Sequence, residues 1–244
     1  MAQKIVVASG KGGVGKSSAV CGLCRCLTDM GKNVLVMDFD IGLRGLDLIF
    51  DVSDQVVFDW GDIILGRCEL DKALISADGA TLIAAPRIFA QEFTKDTISR
   101  ILEILDPLFD YILLDAPAGI SKGLYLAACC ADRALIVSTP DNVCVRCGSL
   151  TAEKLLELGI NDIRLIINRF KKRPVVQGRL LNIDDVIDSA GVQLIGVIPE
   201  DSEVMYSLAN GERLSSRSFA HEALVKIAGR INGENIPLDI SALP

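Results

Sequence analysis

Two lysines and a serine, Lys11, Lys16 and Ser17, sit in the run Gly10-Lys-Gly-Gly-Val-Gly-Lys-Ser17. The run satisfies G-x-x-x-x-G-K-[ST] in full, the pattern of a loop that cradles phosphates with its backbone N–H groups. On this reading the cradle is Gly10, Lys11, Gly12, Gly13, Val14, Gly15, Lys16, Ser17 and Ser18. Lys16 would reach the β- and γ-phosphates of a nucleoside triphosphate, and Ser17 would offer its hydroxyl to Mg²⁺. The pattern does not ask for Lys11. Three acids, Asp38, Asp40 and Asp115, follow apolar runs that read as strands. An apolar strand ending in Asp is the arrangement that holds Mg²⁺ directly or through water. Asp115 also opens Asp-Ala-Pro-Ala-Gly, a loop able to sense a γ-phosphate.

Gly10-x-Gly12-x-x-Gly15 also fits the dinucleotide fingerprint, with Asp38 near the ribose-binding position. Lys16-Ser17 and a second acidic strand end at Asp115 are unexplained by that reading, so the triphosphate loop is preferred. For the base, the guanine signature Asn-Lys-x-Asp is absent. Asn168 and the turn Ile198-Pro199-Glu200-Asp201 are candidates to line an adenine pocket, with Asn168 alternatively a plain turn residue.

These groups need a scaffold, and the hydrophobic pattern supplies one. Strands are expected at 4–8, 32–37, 81–85, 110–114, 134–138, 164–168 and 193–198. Helices are expected at 17–30, 94–105, 142–158 and 218–232. Strands alternating with helices imply right-handed crossovers and an α/β fold: a doubly wound, mainly parallel sheet with helices on both faces. No linker or repeat divides the 244 residues, so one domain over 1–244 is expected.

Composition agrees: hydrophobic residues reach 50% but aromatics only 5%, the aliphatic bias of a sheet buried on both faces. The net charge of −7 opposes a general nucleic-acid surface. The densest basic run, Arg169-Phe-Lys-Lys-Arg173, reads as a solvated loop. The N-terminus runs straight into a strand, and no apolar run approaches the ~18 residues of a membrane span. The eight cysteines are expected as reduced cytosolic thiols, with Cys21, Cys24 and Cys26 as small core residues. Cys144-x-x-Cys147 supplies half of a four-thiolate metal site that a two-fold axis could complete. His221 reads as structural or exposed.

Together these blocks resemble the MinD/ParA family of deviant Walker A ATPases. The matching segments are Ser9–Ser17, Asp38-Phe-Asp-Ile-Gly-Leu-Arg44, Leu46–Ile49, Asp115-Ala-Pro-Ala-Gly-Ile120, Asn168-Arg169 and Gly196–Asp201. The second and fourth favour the MinD branch. The resemblance implies ATP and Mg²⁺ as ligands, and an ATP-dependent homodimer in which Lys11 reaches the partner's nucleotide. It implies that Asp40 orients the attacking water, that Asp38 and Asp115 support the metal with Ser17, and that Asn168 contacts adenine. Lys11, Lys16 and Asp40 would then be the catalytic set, with hydrolysis slow until a partner binds. MinC/MinE-like regulators follow from the same likeness, and the strand-first N-terminus with reduced thiols points to a cytoplasmic location. MinD proteins ordinarily end in a basic amphipathic membrane helix. Residues 233–244 carry two prolines and no lysine, so peripheral membrane contact is not expected from them. A ParA-type partitioning ATPase, a flagellar-number ATPase, an iron–sulfur carrier and a non-hydrolysing scaffold are the competing readings.

Overall fold

A computed structural model describes residues 1–240 and 243; Ser241, Ala242 and Pro244 of the tail lie outside the described residues. The strands are β1 (Gln3–Ala8), β2 (Val34–Asp38), β3 (Ile75–Ala77), β4 (Ala80–Ile83), β5 (Tyr111–Asp115), β6 (Arg133–Ser138), β7 (Asp162–Phe170) and β8 (Gln193–Pro199). They form one sheet in the order β3-β4-β2-β5-β1-β6-β7-β8. All neighbours are parallel except β3 and β4. The helices are α1 (Lys16–Asp29), α2 (Leu46–Ile49), α3 (Trp60–Ile64), α4 (Lys95–Leu105), α5 (Lys122–Ala128), α6 (Asn142–Glu157), α7 (Lys172–Val176), α8 (Ile183–Ala190), α9 (Ser202–Ala209) and α10 (Phe219–Ile231).

All seven expected strands and four expected helices are present. The antiparallel edge strand β3 was not expected. It is three residues long, too short for a periodic signal, and leads into β4 through the tight turn Asp78-Gly79. The basic run expected as a loop is partly regular: β7 continues to Phe170, and α7 begins at Lys172.

The two central strands β2 and β5 are buried along their whole length, as Val-Leu-Val-Met and Tyr-Ile-Leu-Leu runs require when both sheet faces are covered. On one face α1 and α10 pack through Val20, Leu23, Leu27, Leu224 and Ile227. On the other, α4, α5 and α6 pack through Ile98, Leu102, Leu124, Val145 and Leu155. Cys21, Cys24 and Cys26 are core residues, as expected. The chain runs from β1 to β2 on one side and later to β6 on the other. The carboxyl end of β1 is therefore a topological switch point, the place where such sheets bind ligands.

Candidate nucleotide site

The glycine loop leaves β1 at that switch point. Gly13 and Gly15 take φ of 81° and 89°, a left-handed conformation that a Cβ would strain. Gly10 lies directly against the backbone of Cys147 on α6, so that position has no room for a side chain. The loop thus enters α1 with no side chain capping its first N–H groups, an anion site by geometry and dipole.

Beneath the loop, β2 and β5 run in register, with Asp38 opposite Asp115. Asp115 is buried and bonded to the loop: Lys16 Nζ donates to its Oδ1 at 2.5 Å, and Ser17 Oγ to its Oδ2 at 2.7 Å. Lys16 also lies 3.2 Å from Ser17 Oγ. Lys16 was expected on phosphate. A buried ammonium needs a counter-charge, and in this structure Asp115 supplies it. Burial raises the Asp115 pKa, partly offset by Lys16 and by the Ser17 hydrogen bond.

Asp38 has a different occupation. Its oxygens accept N–H bonds from Asp40, Gly45 and Leu46, which fold the 40–45 loop around it. Its backbone carbonyl accepts from Trp60 Nε1 at 2.7 Å, and Trp60 is packed between Phe39 and Phe93. Burial, then the neighbouring charge of Asp115, push its pKa up to about 7. Two crowded carboxylates and the Ser17 hydroxyl form a hard-oxygen set that suits Mg²⁺, with phosphate and water left to complete the shell. Asp40 is half-buried at the mouth of the same crevice.

Lys11 is exposed at the outer lip of the loop. Its charge reaches Asp141, the residue that caps α6 by accepting from Cys144 N. Burial would raise the Asp141 pKa, but the Thr139 hydroxyl, the Cys144 N–H and Lys11 together hold it down. Sequence reasoning missed Asp141; its place just ahead of the α6 pattern after Thr139-Pro140 was the available signal.

The base-pocket candidates converge on a cavity of about 550 Å³ beside α1. Gly15, Ser18, Asn168, Pro199 and Asp201 all line it. Arg169 takes φ of 55°, and the β7–β8 pairing shifts register across this point. Next to that irregularity, Asn168 Nδ2 donates to Val14 O at 2.8 Å. One N–H of the amide is therefore committed to the loop, which fixes the amide's orientation and leaves Oδ1 to accept. Asp201 is committed as well: it accepts from Glu203 N at 2.9 Å and Ser218 Oγ at 2.7 Å. The cavity runs further than expected along α1, past Cys21 and Arg25, with Met205, His221 and Leu224 opposite. Cys144 is buried and Cys147 half-buried. Among the described residues no group of three or more His, Cys, Asp or Glu is placed to hold a metal.

The model of the CobQ/CobB/MinD/ParA nucleotide binding domain matches residues 5–214. The chain belongs to this family. It is 36% identical to the septum site-determining protein MinD of Synechocystis over 98% of its own length and 92% of that protein's. In structure it is similar to MinD in the MinC:MinD cell division complex of Aquifex aeolicus: TM-score 0.90, 33% identity, 98% of each chain covered. It also shares the fold of MinD from Pyrococcus horikoshii OT3, which was solved with Mg-ADP: TM-score 0.84, 24% identity, 95% and 96% covered. Septum site-determining MinD proteins thus resemble the chain in sequence over nearly its full length. Among the described residues no helix is long and apolar enough to cross a membrane.

Proposed function

We propose that this chain is a MinD-like ATPase of division-site placement, acting as one nucleotide-binding domain over residues 1–244. The observation that carries the reading is the closed set Lys16–Asp115–Ser17 under the loop, with Lys11 free at its outer lip. ATP offers Lys16 a stronger counter-charge than Asp115. Lys16 then turns to the β- and γ-phosphates, and the backbone from Gly10 to Ser18 closes round them. That exchange releases the Asp115 carboxylate and the Ser17 hydroxyl towards the cation, with Asp38 behind them holding the 40–45 loop. Bound Mg²⁺ would neutralise charge on the phosphates. Asp40 orients the attacking water. Asn168 Oδ1 accepts from an exocyclic amine, which adenine presents and guanine does not at the same edge.

Lys11 projects away from its own site and serves the nucleotide of a second subunit, much as an arginine finger does. Dimerisation then depends on ATP, and the dimer surface engages a MinC-like regulator, with a MinE-like protein stimulating turnover. Hydrolysis alone is slow until a partner binds. The protein is cytoplasmic, with any membrane contact peripheral. A partitioning ATPase would want a basic DNA face, which the charge of −7 opposes.

The test is light-scattering size with ATP, ADP and a slowly hydrolysed ATP analogue, for the natural chain and Lys11→Ala. The variant is expected to bind nucleotide with near-normal affinity but to stay monomeric and release no phosphate. A Lys11→Ala protein that dimerises normally with ATP would sink the trans-lysine reading.

A further inference from the structure

The thiols of Cys129 and Cys130 stand apart from everything above. They follow α5 at the opposite rim of the sheet from the phosphate loop, just before β6 begins. Their sulfurs are 3.5 Å apart, and both residues are half-exposed. The backbone around them is fixed on both sides. Cys129 N donates to Tyr125 O at 3.0 Å, and Asp132 N to Lys4 O at 2.8 Å. Cys129 Sγ lies 3.1 Å from Leu126 O. The neighbouring helix α4 brings a Ser99 hydrogen bond to Cys130, and the charges of Lys95 and Lys4 act on it. The hydrogen bond from Cys129, then Ser99 and the lysines, hold the Cys130 thiol low against the effect of burial. The same shared bond, together with burial, holds the Cys129 thiol high, so the pair carries one proton readily lost and one kept.

The separation of the sulfurs decides what the pair can do. A disulfide needs sulfurs about 2.04 Å apart and Cα atoms about 4.4–6.8 Å apart. Adjacent residues hold their Cα atoms about 3.80 Å apart, so a bond within the pair would be strained. One atom bonded to both sulfurs at about 2.3 Å would instead see them, 3.5 Å apart, at an angle of about 100°. A linear two-coordinate ion would need them about 4.6 Å apart. A tetrahedral zinc would need further protein ligands, and among the described residues no group of three or more His, Cys, Asp or Glu is placed to hold a metal ion. A pyramidal trivalent centre that takes two thiols fits without movement.

We propose that Cys129 and Cys130 form a bidentate dithiol site for a thiophilic trivalent centre, the ligand class being a mono-organo arsenic(III) oxide. The step is a condensation without redox change. Each sulfur forms one As–S bond, the As=O bond breaks, and the two thiol protons leave with that oxygen as water. Cys130, the readier thiolate, attaches first, and Cys129 closes the ring 3.5 Å away. The site lies across the sheet from the loop, so occupancy leaves the phosphate cradle untouched.

Phenylarsine oxide is the probe, with native mass spectrometry as readout and the full chain as sample. One adduct per chain is expected, released by a dithiol competitor but not by an equal concentration of a monothiol. Cys129→Ser and Cys130→Ser should each weaken binding about 100-fold by removing the second attachment. Cys147→Ser should not change it. On the natural chain, the adduct should protect Cys129 and Cys130 alone from alkylation, as mapped on peptides, which needs no variant to fold. No adduct, an adduct kept in both serine variants, or protection at Cys144 and Cys147 would overturn the proposal.

Discussion

At the phosphate end of the cleft, Lys16, Ser17 and Asp115 bond to one another beneath the loop, across 98 and 99 residues of chain. At the base end, Asn168 and Asp201 bond to other parts of the fold, the Val14 carbonyl and the starts of α9 and α10. On the proposed reading, the phosphate end is built from charges that exchange partners when phosphate arrives, and the base end from structural residues whose leftover lone pairs meet the ligand. Substitutions at the first should damage binding and folding together. At the second, the two effects should separate.

Lys16→Ala is the harshest break. It leaves Asp115 buried with its main counter-charge gone, a loss of about 3–5 kcal/mol when a buried pair loses one member. ADP and ATP affinity should both collapse, and the denaturant midpoint without nucleotide should fall. A variant with unchanged unfolding would mean that Asp115 is protonated or hydrated there, and the two ends would not differ as described.

Asn168→Ala comes next. The loop loses a hydrogen bond at Val14 O, and the base loses its acceptor. An ordinary hydrogen bond of about 1–1.5 kcal/mol corresponds to roughly a tenfold loss of ATP affinity. The sharper readout is selectivity: the preference for ATP over GTP should shrink, because the fixed amide orientation is what distinguishes an amine from a carbonyl. Equal loss for both nucleotides would reduce Asn168 to a loop support.

The same contrast explains what the sequence revealed. The phosphate loop is legible because its chemistry lies in one contiguous run with fixed glycine positions, and the strand-end acids because a buried apolar run precedes each. The sheet was legible from its aliphatic strands. What stayed hidden depends on contacts between distant segments. Lys16 resting on Asp115, Asp38 holding the 40–45 loop, and Asn168 turned towards Val14 are pairings that no spacing encodes. The extension of the cavity along α1 arises where α9 and α10 approach that helix, and α9 is a two-turn element with weak periodicity. The edge strand β3 and the one-turn helices α2, α3 and α7 fall below the length at which a pattern repeats.

Asp201→Ala should have the smallest effect and separates the two ends most cleanly. Its carboxylate caps α9 through Glu203 N and accepts the Ser218 hydroxyl, which itself accepts from His221 N at the start of α10. Losing such a cap costs about 1 kcal/mol. The unfolding midpoint should fall by that amount, while affinity for inorganic triphosphate, which meets only the loop, should stay unchanged. ATP affinity should drop only as far as the α9 wall loosens. If triphosphate binding weakened in parallel with ATP, the base end would be coupled to the loop through more than Asn168, and the cleft would have to be treated as one unit whose helices and loop move together.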